Sequence, residues 1–269
     1  MSKTIVLIHG AWLNAQSWEG FKARYEAKGY TVVAPSWPLD ERTPAALRAT
    51  PDPELGNVGM ARILRHYTDL IRALPESPII IGHSFGGTIT QHLLDNGLGV
   101  AGVAIDPAPT SGVLVGWDTI KSTFPVFLSW GSWRRAMTMT QTFFATRFAQ
   151  TVPAQDRDAM YDRYIVPTPG KVYWDGLVAA AGWIRWDNPE RAPLLLIGGG
   201  IDRIAAPSMT RAMYAKQKRA PSTTALKIYP DRSHWTCIEP GWERVADDAL
   251  EWAVRNARPG NVRPLKAAA

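Results

Sequence analysis

The sequence predicts an α/β fold: a mostly parallel six-stranded sheet with helices on both faces and a helical cap inserted into it. Three observations carry this expectation. Through the first hundred residues, short apolar runs of β-branched type alternate with longer stretches of helical spacing, the pattern of βαβ units. Two further runs of the same kind return beyond residue 190. Between them, residues 109–190 hold no convincing strand but contain Trp117, Trp130, Trp133, Trp174, Trp183 and Trp186, half of the chain's twelve tryptophans.

Taken in order, the expected strands are 4–8, 31–34, 78–82, 101–105, 194–199 and 225–229. Between the first two, Trp18, Phe21 and Tyr25 keep one face of a helix; Met60, Ile63, Leu64, Tyr67, Leu70, Ile71 and Leu74 keep another. The core domain is therefore expected over 1–108 and 191–257, with 109–190 as the cap. Residues 258–269 lack apolar periodicity, contain two prolines and read as a flexible tail.

With 269 residues, 46% hydrophobic and 20% charged, the chain can bury one large core. A net charge of +6 raises the question of nucleic acid, but Lys and Arg are scattered and interleaved with Asp and Glu, which points to an ordinary solvated surface and no nucleic-acid partner. Positive potential can still concentrate anionic substrates near a cleft. The single cysteine, Cys237, excludes an internal disulfide and a thiolate metal cluster. The opening apolar run, Ile5-Val6-Leu7-Ile8, is too short for a signal peptide or a membrane span, so a cytoplasmic location is expected. Oligomeric state stays open.

Gly82-His83-Ser84-Phe85-Gly86 has the form Gly-x-Ser-x-Gly and lies directly after the strand Pro78-Ile79-Ile80-Ile81 and before a helix starting near Gly86. A sharp strand-to-helix turn strains the serine backbone, and small flanking residues relieve the crowding. Its hydroxyl then projects at a helix N-terminus, where the dipole and free amides favour developing negative charge. A serine hydroxyl needs a base to take its proton. Of five histidines, His9 and His83 sit in glycine-containing turns and His66 and His92 in helices. His234 remains, in Asp231-Arg232-Ser233-His234-Trp235 after the last strand, and is the expected base.

Two aspartates follow strands and could hold the imidazole in the right tautomer: Asp106, and Asp202 in a glycine-rich loop. Asp202 gives the order Ser, Asp, His, with the acid one strand before the base, and is the favoured acid. Two backbone amides fit as donors to a carbonyl oxyanion, that of Phe85 and that of Ala11 in His9-Gly10-Ala11-Trp12. Trp12, His83, Trp130, Trp133 and Trp235 are the expected substrate-binding residues.

These four segments, His9-Gly10-Ala11-Trp12, Gly82-His83-Ser84-Phe85-Gly86-Gly87, Gly200-Ile201-Asp202 and Ser233-His234-Trp235, resemble the α/β-hydrolase superfamily, in particular its small members with a His-Gly-Ala-Trp loop, plant methylesterases and their bacterial relatives. The resemblance spans most of the chain. It implies a Ser-His-Asp triad needing no cofactor and no metal, and a cap after the sixth strand of the family's scheme. The chain departs from that scheme in starting at the strand before His9-Gly10, which implies a minimal, six-stranded form.

Within the superfamily, dehalogenases and epoxide hydrolases use a carboxylate where Ser84 stands, and hydroxynitrile lyases place a lysine where Trp235, Thr236 and Cys237 follow the histidine. A serine esterase for a small-molecule substrate with bulky apolar or aromatic groups is the favoured expectation. Cofactor-free haloperoxidases or perhydrolases and carbon–carbon bond hydrolases share the same triad. A small-molecule receptor on the same fold is the non-enzymatic alternative.

Overall fold

The computed structural model describes residues 2–177 and 183–259. In chain order the elements are β1 (Thr4–Ile8), α1 (Glu19–Glu26), β2 (Thr31–Val33), α2 (Pro44–Ala49), α3 (Met60–Ala73), β3 (Ile79–His83), α4 (Phe85–Asp95) and β4 (Ala101–Ile105). There follow α5 (Trp117–Leu128), β5 (Ala136–Met137), the single turn α6 (Gln141–Phe143), α7 (Arg157–Tyr164), β6 (Thr168–Pro169), α8 (Lys171–Leu177), β7 (Leu194–Gly199), α9 (Pro207–Gln217), β8 (Thr224–Tyr229) and α10 (Trp242–Asn256).

Six strands form one parallel sheet in the order β2-β1-β3-β4-β7-β8. Each of the six expected strands is present, with ends shifted by one residue at most. Side chains alternate between the faces, as the two-residue period of a strand requires. Ile5, Leu7, Ile79, Ile81, Val103, Ile105, Leu195 and Ile197 pack with Phe21 and Tyr25 of α1 and with Val245, Ala249 and Ala253 of α10. Val6, Ile8, Ile80, Ala104, Leu194 and Leu196 join the opposite core, with Ile63 and Tyr67 of α3, Ile89 and Leu93 of α4, and Met209 and Met213 of α9. Both faces are thus covered, the condition under which a parallel sheet reads as continuous apolar runs.

Between β4 and β7 lie α5 to α8. One strand pair interrupts this helical stretch: β5 and β6 run antiparallel, pairing Ala136 with Pro169 and Met137 with Thr168. At two residues each, these strands show no sequence period. Phe144, Phe148, Tyr161, Tyr164 and Tyr173 from this insertion share one core with Trp12 and Trp235. At the other end, Arg258 donates its backbone amide to Val100 and its guanidinium to the Glu190 and Arg191 carbonyls, so the chain is held to the sheet up to that residue. Residues 260–269 of the expected tail lie outside the described residues.

Candidate active site

Successive parallel strands place the chemically active side chains at their carboxyl ends, where open α/β sheets bind ligands. Ser84 follows β3, Asp106 follows β4, Asp202 follows β7 and His234 follows β8.

Ser84 takes φ 56° and ψ −122°, left-handed geometry that a residue with a side chain adopts only under constraint. The neighbouring glycines make this turn possible. A Cβ on Gly82 would lie 2.1 Å from the Gly86 carbonyl oxygen, and one on Gly86 would lie 2.0 Å from that of Ile8. A Cβ on Gly10 would sit 2.5 Å from the Ser84 Cβ, so the loop after β1 can reach the serine only without a side chain there.

That loop is held from several sides. His9 donates Nδ1–H to the Gly10 carbonyl and accepts the Trp37 amide at Nε2, both at 2.9 Å. Burial lowers its pKa to about 4, so it works as a neutral imidazole. Trp12, at φ 61°, donates its indole N–H to the Met137 carbonyl and accepts the Val166 amide on its own. Neither the Ala11 amide nor that of Phe85 finds an acceptor among the described residues, and both residues line the same cavity as Ser84.

His234 and Asp202 form a buried pair. Nδ1 of His234 donates to Asp202 Oδ2 at 2.6 Å, while Asp202 Oδ1 accepts the amides of Ile204 and Ala205 at 2.6 and 2.8 Å. Burial is the largest single influence on the His234 pKa and lowers it. The charge and hydrogen bond of Asp202 lead the influences that more than offset it, and the net shift is upward. Nε2 of His234 makes no hydrogen bond to any described atom, and His234 lines the cavity that Ser84 lines.

Asp106 occupies a different position. At φ 43°, it accepts the Gly199 amide on Oδ1 at 2.5 Å, and its Oδ2 has no partner. Burial, then the nearby charge of Asp202, raises its pKa to about 8, so near neutral pH it is a carboxylic acid beside the His234–Asp202 pair. It is thus Asp202, not Asp106, that bonds the His234 ring. His83, Asp106 and His234 offer ligand atoms within 4.8 Å of one another, a spacing a metal ion could accept. Full burial of all three and the proton held by Asp106 make this a poor cation site.

The structure relocates four of the five expected substrate-binding residues. Trp12 lines the cavity. His83 lies behind His234, its ring 4.8 Å from that of His234 and its Nε2–H donated to the His234 carbonyl. Trp235 is buried among Phe144, Phe148 and Tyr164. Trp130 and Trp133 stack edge-on against each other, with Trp133 also against Trp174, and face solvent outside the cavity. Aromatic content alone does not say which side of an inserted helix faces inward.

The cavity, of about 570 Å³, is lined instead by Trp12, Phe124, Phe127, Phe148, Tyr173, Val113 and Ile204 around Ser84 and His234. Among the described residues lining it there is no Asp, Glu, Lys or Arg. Sequence reasoning also missed Glu239. Its buried carboxylate accepts the Ser233 amide and hydroxyl and the Thr151 hydroxyl, clamping the loop that carries His234 to the insertion.

A serine in a strained strand-to-helix turn, with an Asp-bonded histidine three strands away in the sheet, defines the architecture of the α/β hydrolases. The chain belongs to the alpha/beta hydrolase family, whose model matches residues 5–248. Its fold is similar to that of tomato methylketone synthase I complexed with 2-tridecanone (TM-score 0.70, 16% identity, 95% of this chain and 99% of that one). It is also similar to a methylesterase from Arabidopsis (TM-score 0.67, 16% identity, 94% and 99%) and to an extracellular α/β-hydrolase from a Paenibacillus species (TM-score 0.66, 20% identity, 95% and 99%). No curated protein matches by sequence. At these identities the structural likeness speaks for the fold.

Proposed function

We propose that the protein is a serine hydrolase that cleaves carboxylic esters with bulky apolar or aromatic groups through an acyl-enzyme intermediate. One observation carries the reading: Ser84, the free nitrogen of His234 and the two unclaimed amides of Ala11 and Phe85 border one cavity whose other described walls carry no charge. A neutral apolar ester can enter such a cavity without leaving a charged group desolvated and unpaired.

In this reading the ester carbonyl carbon sits against Ser84 Oγ. As the oxygen attacks, its proton passes to Nε2 of His234, and Asp202 stabilises the imidazolium that forms. The carbonyl oxygen gains negative charge and accepts the amides of Ala11 and Phe85, each worth about 3 kcal/mol of barrier height. Collapse breaks the bond to the alkoxy oxygen, which leaves as the alcohol with the proton from His234. Water repeats the sequence on the acyl-enzyme, releasing the acid and restoring Ser84. Because Asp202 fixes Nδ1 as the protonated nitrogen, Nε2 presents its lone pair to the serine.

A fluorophosphonate probe and p-nitrophenyl esters test the reading together. A single adduct on Ser84, absent in Ser84→Ala, accompanied by turnover of the esters, is the expected result. No adduct and no turnover would favour a ligand-binding role on the same fold.

A further inference from the structure

Helix α5 turns one row of large apolar side chains outward. Trp117, Ile120, Phe124 and Leu128 recur at i, i+3, i+7 and i+11, one face of a helix, and all four are exposed, Trp117 and Leu128 at 69%. Its buried face is Thr119, Ser122 and Val126. That face is fastened to the loop after Asp202: Ser122 Oγ donates to the Arg203 carbonyl at 2.7 Å and Thr119 Oγ1 accepts the Ala206 amide at 3.4 Å. The outward face is therefore held rigidly beside the catalytic acid. Leu114 at 91% and Trp130 at 84% extend it. Clusters of this kind mark surfaces that another phase or molecule covers.

We propose that this face docks the protein peripherally onto an anionic lipid surface, opening the cavity directly into the apolar phase. Two features choose the occupant. Ile120 and Phe124 are exposed and line the cavity as well, so the face continues from the surface into the cavity that Ser84 lines. A second copy of the chain seated there would cover the entrance, whereas a lipid phase can deliver an apolar substrate through it. The second feature is charge. Lys121 lies on the same side with its ammonium 5.5 Å from the Trp117 ring centre, Arg134 and Arg135 are exposed beside Trp133, and the whole chain carries +6. Asp118, the acid of this helix, lies 3.9 Å from Arg147. Exposed tryptophans with a basic rim suit the headgroup region of an anionic leaflet. No helix among the described residues is long and apolar enough to cross a bilayer, so contact would be at the surface. Delivery of substrate rests on the esterase reading above; attachment to lipid does not.

Co-sedimentation of the full chain with phosphatidylcholine vesicles, with and without phosphatidylglycerol, tests this. The comparison is with a triple variant, Leu114→Ser, Trp117→Ser and Leu128→Ser, none of which lines the cavity. The wild-type protein should sediment with the phosphatidylglycerol vesicles, less as salt rises, and the variant should lose about tenfold in partitioning. Hydrolysis of dissolved p-nitrophenyl butyrate should stay within about twofold. Vesicle binding without turnover in either protein would overturn the esterase reading and leave the docking face standing. Equal partitioning of both proteins, or none by the wild type, would overturn the docking face. So would a wild-type dimer that the triple variant dissolves in sedimentation velocity, which would assign the face to a second copy.

Discussion

Nδ1 of His234 and Oδ2 of Asp202 lie 2.6 Å apart with neither side chain exposed to solvent. Two backbone amides fix the other oxygen of the same carboxylate, so the acid cannot turn away from the ring. Asp202→Asn keeps that shape but offers Nδ1 an amide, which favours the wrong imidazole tautomer. On the proposed mechanism kcat should fall by roughly three to four orders of magnitude. Asp106→Asn replaces a group that is protonated below about pH 8, and its amide oxygen can keep the bond to Gly199. That change should cost less than about tenfold. Steady-state kinetics of the two variants at pH 7 decides between them, and the opposite ranking would move the acid to Asp106.

The same pair sets a pH dependence whose sign can be worked out. The proposed base must be unprotonated in the free enzyme, and the His234 pKa is raised above the ordinary histidine value of 6.5. kcat/KM should therefore be low in acid and rise with pH through a midpoint above 6.5. In Asp202→Asn, burial still lowers the pKa while the leading charge that opposed it is gone. The midpoint of the residual activity should move to lower pH. A flat profile in the wild-type protein, or a midpoint that rises in the variant, would remove His234 as the base.

Two glycines around Ser84 should fail in different ways when enlarged. An Ala Cβ at position 86 would meet the Ile8 carbonyl oxygen at 2.0 Å, and Ile8 is held at the end of β1 by its pairing with Gly82 of β3. Gly86→Ala should lose about 3 kcal/mol or more of stability, seen in thermal or urea unfolding. At Gly10 the obstacle is the Ser84 side chain itself, at the end of a loop. Gly10→Ala should keep most of its stability while kcat falls about a hundredfold, because the loop carrying the Ala11 amide is displaced. Equal losses of stability in the two would mean that Gly10 serves the fold and not the alignment of the site.

The six strands were legible because parallel strands covered on both faces are written as nearly continuous β-branched runs, such as Ile79-Ile80-Ile81. Ser84, Asp202 and His234 were legible because their places depend on strand ends and chain order, which the alternation of strands and helices already fixes. The cavity was not. Most of its walls come from the insertion, whose aromatic residues carry no sequence signal for which side faces inward. In α5, Thr119 and Ser122 find hydrogen-bond partners beneath the helix, Phe127 lies in the cavity, and Trp117 and Leu128 stay outside. His83 and Trp235, two of the expected substrate-binding residues, stand next to Ser84 and His234 in the sequence. Alternation along β3 and the tight loop after β8 turn them into the core instead. Phe148 and Tyr173 carry no motif and reach His234 and Trp12 only through the fold.

Substrate preference follows from these relocated walls. Phe127 lies in the cavity with its ring 6.5 Å from that of Tyr173, whereas Trp130 and Trp133 pack together outside it. Each ring that an acyl group buries against contributes on the order of 1–3 kcal/mol, enough to separate large from small acyl groups by tenfold or more. The p-nitrophenyl esters of octanoate and benzoate should accordingly exceed acetate in kcat/KM. An acyl chain ending in a carboxylate should be turned over poorly, since no described lining residue could pair with it once it leaves water. Phe127→Ala should lower kcat/KM for octanoate and benzoate by about tenfold more than for acetate. Trp130→Ala with Trp133→Ala should leave the ranking of dissolved esters unchanged, because those rings meet solvent and each other. If acetate ranks first, or if the two tryptophans shift the ranking while Phe127 does not, the substrate is held somewhere other than this cavity and the proposed preference for bulky apolar esters falls with it.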